Sequence, residues 1–257
     1  MCLCRAADEL LMGEYGSGRY VFTGRCLPGA RGRFGALNLA LHVNDRHDDV
    51  IYNRHLLLHE LSLDACCMSC VDQTHGNKIL HVTEEIDQQT DSPLGEADAL
   101  ITTVHGQPLA IFTADCLPIA LIDRESKAVA AVHAGWKGTA LGIAFKTAVE
   151  MVRLHGCDPV QMNAVIGPSI GPCCYDFDPN RLAESGYLSN RHTVKKPDGG
   201  ITLDLRRANV EQLVEAGIPE TNIKVVDICT ACNNSRYFSH RADGGNTGRQ
   251  ALIVWLA

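Results

Sequence analysis

Four short apolar stretches follow one another in the middle of this chain: Ala99-Leu100-Ile101, Leu109-Ala110-Ile111-Phe112, Leu117-Pro118-Ile119-Ala120-Leu121-Ile122 and Ala128-Val129-Ala130-Ala131-Val132. Their length and apolar character predict strands. Turn-forming runs separate them, His105-Gly106-Gln107-Pro108 after the first and Asp123-Arg124-Glu125-Ser126-Lys127 after the third. Gaps of at most seven residues cannot hold a crossover helix, so neighbouring strands are expected to pair antiparallel. A doubly wound parallel sheet is thereby disfavoured.

After Gly138 the period changes. Leu141, Ala144, Phe145, Ala148, Met151 and Val152 fall on one face of a helix that Gly156 can end. Ala164-Val165-Ile166 reads as a strand, 206–216 as a helix stopped by Gly217 and Pro219, and Lys224-Val225-Val226-Asp227-Ile228 and Ala251-Leu252-Ile253-Val254-Trp255 as late strands. Hairpins mixed with helices predict an α+β layered fold with mixed sheets. With no repeat or long linker, the 257 residues read as one domain. Residues 1–18 are expected to be poorly ordered and 190–200 to form a mobile surface loop.

Composition narrows the function. With 46% hydrophobic and 21% charged residues and no run of eighteen apolar residues, the chain reads as globular and soluble, not membrane-spanning. Its first residues carry no basic-then-apolar leader, so the cytoplasm is the expected location. Twelve cysteines scattered through so long a chain are expected to be reduced. A net charge of −7 argues against a general nucleic-acid binder, so an anionic substrate would need a local positive pocket.

Three potential metal ligands stand out: His75 in Gln73-Thr74-His75-Gly76, Cys116 in Thr113-Ala114-Asp115-Cys116-Leu117-Pro118, and His133 in Val132-His133-Ala134-Gly135-Trp136-Lys137-Gly138. Three protein ligands leave a coordination position open, as a catalytic zinc site does, and a thiolate with two imidazoles suits zinc, with copper an alternative. Their spacing matches no zinc finger. Spacing alone favours the plainer reading, in which His75 caps a turn, Cys116 is a small buried hydrophobe and His133 is a satisfied core histidine. Position favours the site, because Cys116 lies in a polar break between strands and His133 ends a strand just before Ala134-Gly135. Asp115 could orient a ligand or act as a base.

Other cysteines compete. Cys66-Cys67-Met68-Ser69-Cys70 reads best as a buried helix end, since adjacent cysteines do not readily turn to one metal. Cys173-Cys174-Tyr175 follows a Gly/Pro loop and could line a pocket. Cys229-Thr230-Ala231-Cys232 has CxxC form without a second CxxC at zinc-ribbon spacing. The stretch 238–250, with Arg241 and Arg249 among glycines and hydroxyls, could bind phosphate or carboxylate.

Taken together, Phe34-Gly35-Ala36-Leu37-Asn38-Leu39, Asn53-Arg54, Gln73-Thr74-His75-Gly76, Ala97-Asp98-Ala99-Leu100, the Cys116 and His133 segments, Gly167-Pro168 with Cys173-Cys174-Tyr175, and Thr247-Gly248-Arg249-Gln250 resemble the laccase-domain, or polyphenol oxidase, family from about residue 20 onward. Bacterial members of that family include a peptidoglycan editing factor. The resemblance implies two mixed sheets between helices, an α-β-β-α layering, with His75, Cys116 and His133 as zinc ligands. It implies phosphorolysis of adenosine, inosine and methylthioadenosine and deamination of adenosine, on purine nucleoside and phosphate. Cys116, His133 and Asp115 are then the expected catalytic residues, and Asn38, Gln73, Lys137, Arg241 and Arg249 the expected substrate-binding ones. The chain departs from the family at residues 28–33, at Lys137 where arginine is common, and at Ala242 where a second arginine often follows Arg241. Other readings stay open: amide hydrolysis on a cell-wall precursor with Cys116 as nucleophile and His133 as base, a metal-stabilised binding protein, and a copper phenol oxidase. The last ranks lowest, because the eleven histidines are dispersed.

Overall fold

The central apolar stretches form four strands, β4 (Ala99–Thr102), β5 (Leu109–Thr113), β6 (Leu117–Asp123) and β7 (Val129–Ala134), in a computed structural model that describes residues 10–34, 37–63, 68–84, 92–183 and 185–257. Every residue of the four is buried, as strands covered on both faces require. β6 and β7 form the expected antiparallel hairpin, with Ile119 opposite Val132. β5 departs from expectation: it pairs with neither β4 nor β6 and belongs to another sheet. A short gap forbids a crossover helix but not a change of layer. The residues 114–116 span ~10 Å when extended, about the distance between stacked sheets.

One sheet is antiparallel, in the order β1-β2-β13-β5, with β1 (Leu10–Tyr15), β2 (Gly18–Thr23) and β13 (Gln250–Leu256). The other is mixed and runs β12-β8-β6-β7-β4-β3, with β3 (Ile79–Val82), β8 (Met162–Ile166) and β12 (Ile223–Val225). Its end pairs, β12 with β8 and β3 with β4, are parallel, and its inner pairs are antiparallel.

Alternating side chains sort into three cores. Phe22, Ile111, Leu252 and Val254 of the first sheet meet Leu100, Ala120, Val129 and Val165 of the second in the shared interior. Val21, Phe112 and Ile253 point the other way, against Leu57 and Leu58 of α1 (His47–Glu60). The outer face of the six-stranded sheet, with Ile119, Ala130 and Ile166, is covered by α3 (Ile143–His155) and α5 (Leu205–Glu215) through Ala144, Ala148, Ala208 and Leu213. The layering is α-β-β-α. No described helix is long and apolar enough to cross a membrane.

Helix boundaries follow local chemistry. Gly156 ends α3 in left-handed backbone with φ 64°, as glycine readily does. Gly142, at φ 75°, breaks the expected single helix into α2 (Trp136–Ala140) and α3, which leaves Leu141 exposed and off the apolar face. Of the 1–18 segment expected to be poorly ordered, 1–9 lie outside the described residues, and Leu10–Tyr15 pairs fully with β2. The 190–200 segment, expected as a mobile surface loop, carries β10 (Thr193–Lys195), which pairs with β11 (Ile201–Leu203) beside β9 (Asp176–Phe177) in a third, small sheet. Cys66 and Cys67 lie outside the described residues.

Candidate metal centre and cavity

Two connections pass between the sheets at one end of the sandwich. The first is anchored to β5 by a bridge between Ser69 and Leu109 and by Gln73, whose amide donates to the Phe112 carbonyl and accepts from the Phe112 N–H, each at 2.8 Å. It then delivers the chain to β3. The second is the link between β5 and β6. His75 rides the first with φ 60°, and Asp115, beside Cys116, rides the second with φ 91°. Left-handed backbone at non-glycine residues costs on the order of 1–3 kcal/mol and is typical of functional sites. His133 comes from the rigid strand β7.

These elements bring together the three predicted ligands, whose donor atoms all lie within 4.8 Å of one another. His133 is buried, Cys116 half-buried and His75 exposed, so the group opens to one side. Gly135 explains part of the fit: a Cβ there would lie 3.0 Å from both Cys116 Sγ and His75 Cδ2. The His75 and His133 rings meet nearly edge to face, with centroids 4.8 Å apart.

Asp98 organises the group. Fully buried at the mouth of β4, its carboxylate lies 2.7 Å from His133 Nδ1 and accepts the N–H groups of His75 and Gly76 and the Thr74 hydroxyl at 2.9, 2.6 and 3.1 Å. A carboxylate on the second nitrogen of a ligating histidine fixes its tautomer and orientation. Burial works against ionisation of Asp98, but the hydrogen bond and charge of His133 outweigh it and lower its pKa. In the metal-free protein, burial would raise the Cys116 thiol, yet the charge and hydrogen bond of His133 and the hydrogen bond from His75 bring it down to about 6. Burial likewise opposes protonation of His133, and the Cys116 thiolate and Asp98 raise it to about 9. A ready thiolate beside an imidazole suits a borderline-soft cation.

The group borders a cavity of about 490 Å³, large enough for a small-molecule ligand. Phe112, Trp136 and Tyr175 give it aromatic walls, and Arg181, Arg241 and Arg249 give it positive charge. Arg249 is half-buried and held by the carbonyls of Thr247 and Gly248 at 2.8 and 3.0 Å; Arg241 stands over the Tyr175 ring, its guanidinium carbon 5.5 Å from the centroid. The Thr113 hydroxyl, also lining the cavity, is buried and has no partner among the described residues.

The predicted residues divide. Gln73, Asp115, Cys116, His133, Arg241 and Arg249 line the cavity with His75. Both Asp115 oxygens are engaged, one by the Thr230 hydroxyl at 2.6 Å and one by the Arg241 N–H at 2.7 Å. Two others lie elsewhere. Asn38 is fully buried, and its side chain binds Ala40, Asp45 and the Arg249 N–H, so it supports the loop that presents Arg249. Lys137 is exposed beside the Trp136 ring and does not line the cavity. Asp98 and Arg181 were not singled out as site residues. A lone carboxylate entering an apolar strand was the available signal for Asp98; Arg181, on the five-residue helix α4 (Pro179–Ala183), gave none.

Among known proteins, a family model described as multi-copper polyphenol oxidoreductase laccase matches residues 19–257. The purine nucleoside phosphorylase YlmD of Geobacillus stearothermophilus is 36% identical over 237 residues, covering 88% of this chain and 85% of the relative. The adenosine deaminase RL5 of an unknown prokaryotic organism is 33% identical, covering 85% and 86% respectively. The crystal structure of YlmD from Geobacillus stearothermophilus superposes with a TM-score of 0.89 at 32% identity, covering 98% of each chain. Matched along nearly its whole length in sequence and in fold, the chain belongs to the family described as multi-copper polyphenol oxidoreductase laccase.

Proposed function

We propose that this chain is a zinc-dependent enzyme of purine nucleosides, carrying out phosphorolysis of adenosine, inosine and S-methyl-5′-thioadenosine and deamination of adenosine to inosine. The observation that carries the reading is the convergence on one cavity of three metal donors, three arginines and three aromatic rings. Relatives named as a phosphorylase and as a deaminase support both reactions.

His75, Cys116 and His133 would hold the zinc, which when bound supplies Lewis acidity and lowers the pKa of water. The aromatic walls would take the purine. Arg181, Arg241 and Arg249 would bind the phosphate, and the carbonyls that hold Arg249 keep its guanidinium in place before the anion arrives. In phosphorolysis a phosphate oxygen bonds to C1′ while the bond from C1′ to the purine nitrogen breaks; its electron pair leaves with the base, which takes up a proton. In deamination a water oxygen bonds to C6 and one water proton goes to N1; the C6–N bond then breaks as the C6 carbonyl forms, and ammonia leaves carrying the other proton. Asp115, fixed by Thr230 and Arg241, is the cavity carboxylate assigned to that proton.

One observation favours a second reading. Cys116, His133 and Asp98 form a thiolate, imidazole and carboxylate series of the kind that activates a cysteine nucleophile, as amide hydrolysis would need. The test incubates zinc-loaded protein with adenosine, with and without phosphate, and follows adenine, ribose 1-phosphate and inosine. Adenine and ribose 1-phosphate are expected only with phosphate, inosine under both conditions, and none of these from Cys116→Ala. Absence of all three products from the loaded wild type overturns the purine reading; a Cys116 acyl adduct trapped from an amide substrate in chelated protein supports the second.

A further inference from the structure

The parallel pairing of β8 with β12 has a chemical result at its C-terminal end. Both strands leave the sheet side by side, and the loops that follow stay in register: Val226 N–H binds the Ile166 carbonyl at 2.9 Å, Ser169 N–H that of Ile228 at 3.2 Å, and Thr230 N–H that of Ser169 at 3.1 Å. Arg206, buried at the start of α5, ties the two loops together. It donates to the Ser169 hydroxyl and carbonyl, the Ile228 carbonyl and the Asp227 carboxylate, at 3.1, 2.8, 2.5 and 2.6 Å. The first loop carries Cys173-Cys174 and the second carries Cys229 and Cys232 of the CxxC turn. Residues more than fifty positions apart in sequence thus face each other.

All four are free thiols, and their sulfurs lie within 4.8 Å of one another. Cys232 Sγ is 3.6 Å from Cys173 Sγ and 3.3 Å from Cys174 Sγ. Four sulfurs at about 2.3 Å from one tetrahedral zinc would stand ~3.8 Å apart, close to these edges. Distances this short enclose a single ion; in an iron–sulfur cluster the cysteine sulfurs are held apart by a shell of irons and sulfides. Cys229, buried, accepts the Gly171 N–H on its sulfur at 3.2 Å, a contact that favours a ligating thiolate. Gly171 keeps the turn close to the sulfurs: a Cβ there would lie 3.3 Å from both Cys173 Sγ and Cys229 Cβ, a tight approach. Adjacent cysteines do serve one site when, as here, a tight turn folds them over; Cys174 N–H closes it on the Gly171 carbonyl at 3.0 Å.

We propose that Cys173, Cys174, Cys229 and Cys232 form a second metal site, a closed four-thiolate site for one zinc-like divalent cation, separate from the His75/Cys116/His133 group. With four protein ligands and no open position, its role is structural. It clamps the two loops, and through Thr230, whose hydroxyl donates to Asp115, it steadies the link that carries Cys116. The inference is independent of the reaction proposed above.

The test measures bound metal rather than turnover. Full-length protein purified under reducing conditions with added zinc should contain two equivalents by mass spectrometry. Cys116→Ala should retain one, and in that variant cobalt should give the intense thiolate-to-metal absorption and tetrahedral visible bands of a four-sulfur site. Cys173→Ser, a change at an exposed ligand, should weaken those bands without unfolding the chain. Absence of zinc and of thiolate–cobalt bands in folded Cys116→Ala overturns the proposal. A disulfide from Cys232 to Cys173 or Cys174, in place of metal in reduced, zinc-supplemented protein, overturns it equally.

Discussion

His133 shows what it takes to keep a titratable ring inside a β-sandwich. Its neighbours on β7 are alanines and valines, and it is 2% exposed; an unpaired imidazole there would be a cost with no return. Asp98 supplies the partner, and the same carboxylate gathers the 74–76 backbone that positions His75. Replacing Asp98 with Asn keeps the shape but places an amide N–H₂ against groups that also donate. Zinc affinity of Asp98→Asn should fall about 10–100-fold, read by competition with a chromophoric chelator, and stability should drop by roughly 1–3 kcal/mol in urea. Unchanged affinity would mean that Asp98 does not orient His133. Cys116 and His133 were legible in the sequence because each stands at a break in an apolar run, whereas His75, in the polar stretch 72–78, joins them through the family resemblance. Asp98 carried no such contrast until its partner was seen, since one carboxylate in a strand is equally a buried ion pair or a solvated edge.

At the level of elements, the turn from β7 into α2 brings its backbone against the ligands. Gly135 is extended, with φ −75° and ψ 175°, so alanine would meet no backbone strain; the obstacle is the 3.0 Å approach to Cys116 Sγ and His75 Cδ2. Gly135→Ala should therefore fold with a melting temperature near that of wild type but bind zinc more weakly, by at least tenfold if the ligands separate by a few tenths of an ångström. Calorimetry alongside metal titration separates the two effects. The long apolar strands, α3 and α5 were readable from period and glycine stops. The three-residue strands of the small sheet were not, because runs such as Thr193–Lys195 are too short to show alternation and gain their pairing from β11. The meeting of the two cysteine loops was hidden for another reason: it depends on β8 lying parallel to β12, a pairing that no local pattern announces.

For the molecule as a whole, stability resides in the interior shared by the two sheets. β13 occupies the middle of the four-stranded sheet, between β2 and β5, and all seven of its residues are buried. Leu252, fully buried there among Phe22, Ile111 and Leu100, should cost about 2–5 kcal/mol when changed to alanine, a large share of a typical domain's stability of roughly 5–15 kcal/mol. Urea denaturation of Leu252→Ala measures it; a loss under about 1 kcal/mol would show that the layers repack freely around the gap. The layered class was foreseeable from short apolar strands mixed with amphipathic helices. That β5 leaves its sequence neighbours for the opposite sheet was not, since a three-residue gap fits a hairpin and a change of layer equally well.

That change of layer makes the metal centre a caliper. His75 and Cys116 both ride segments strung between the sheets, whereas His133 is fixed on one of them. Substitutions that thicken or thin the interior should therefore alter the spacing of His75 and Cys116 from His133, so that residues far from the cavity would set the bite of the candidate metal centre.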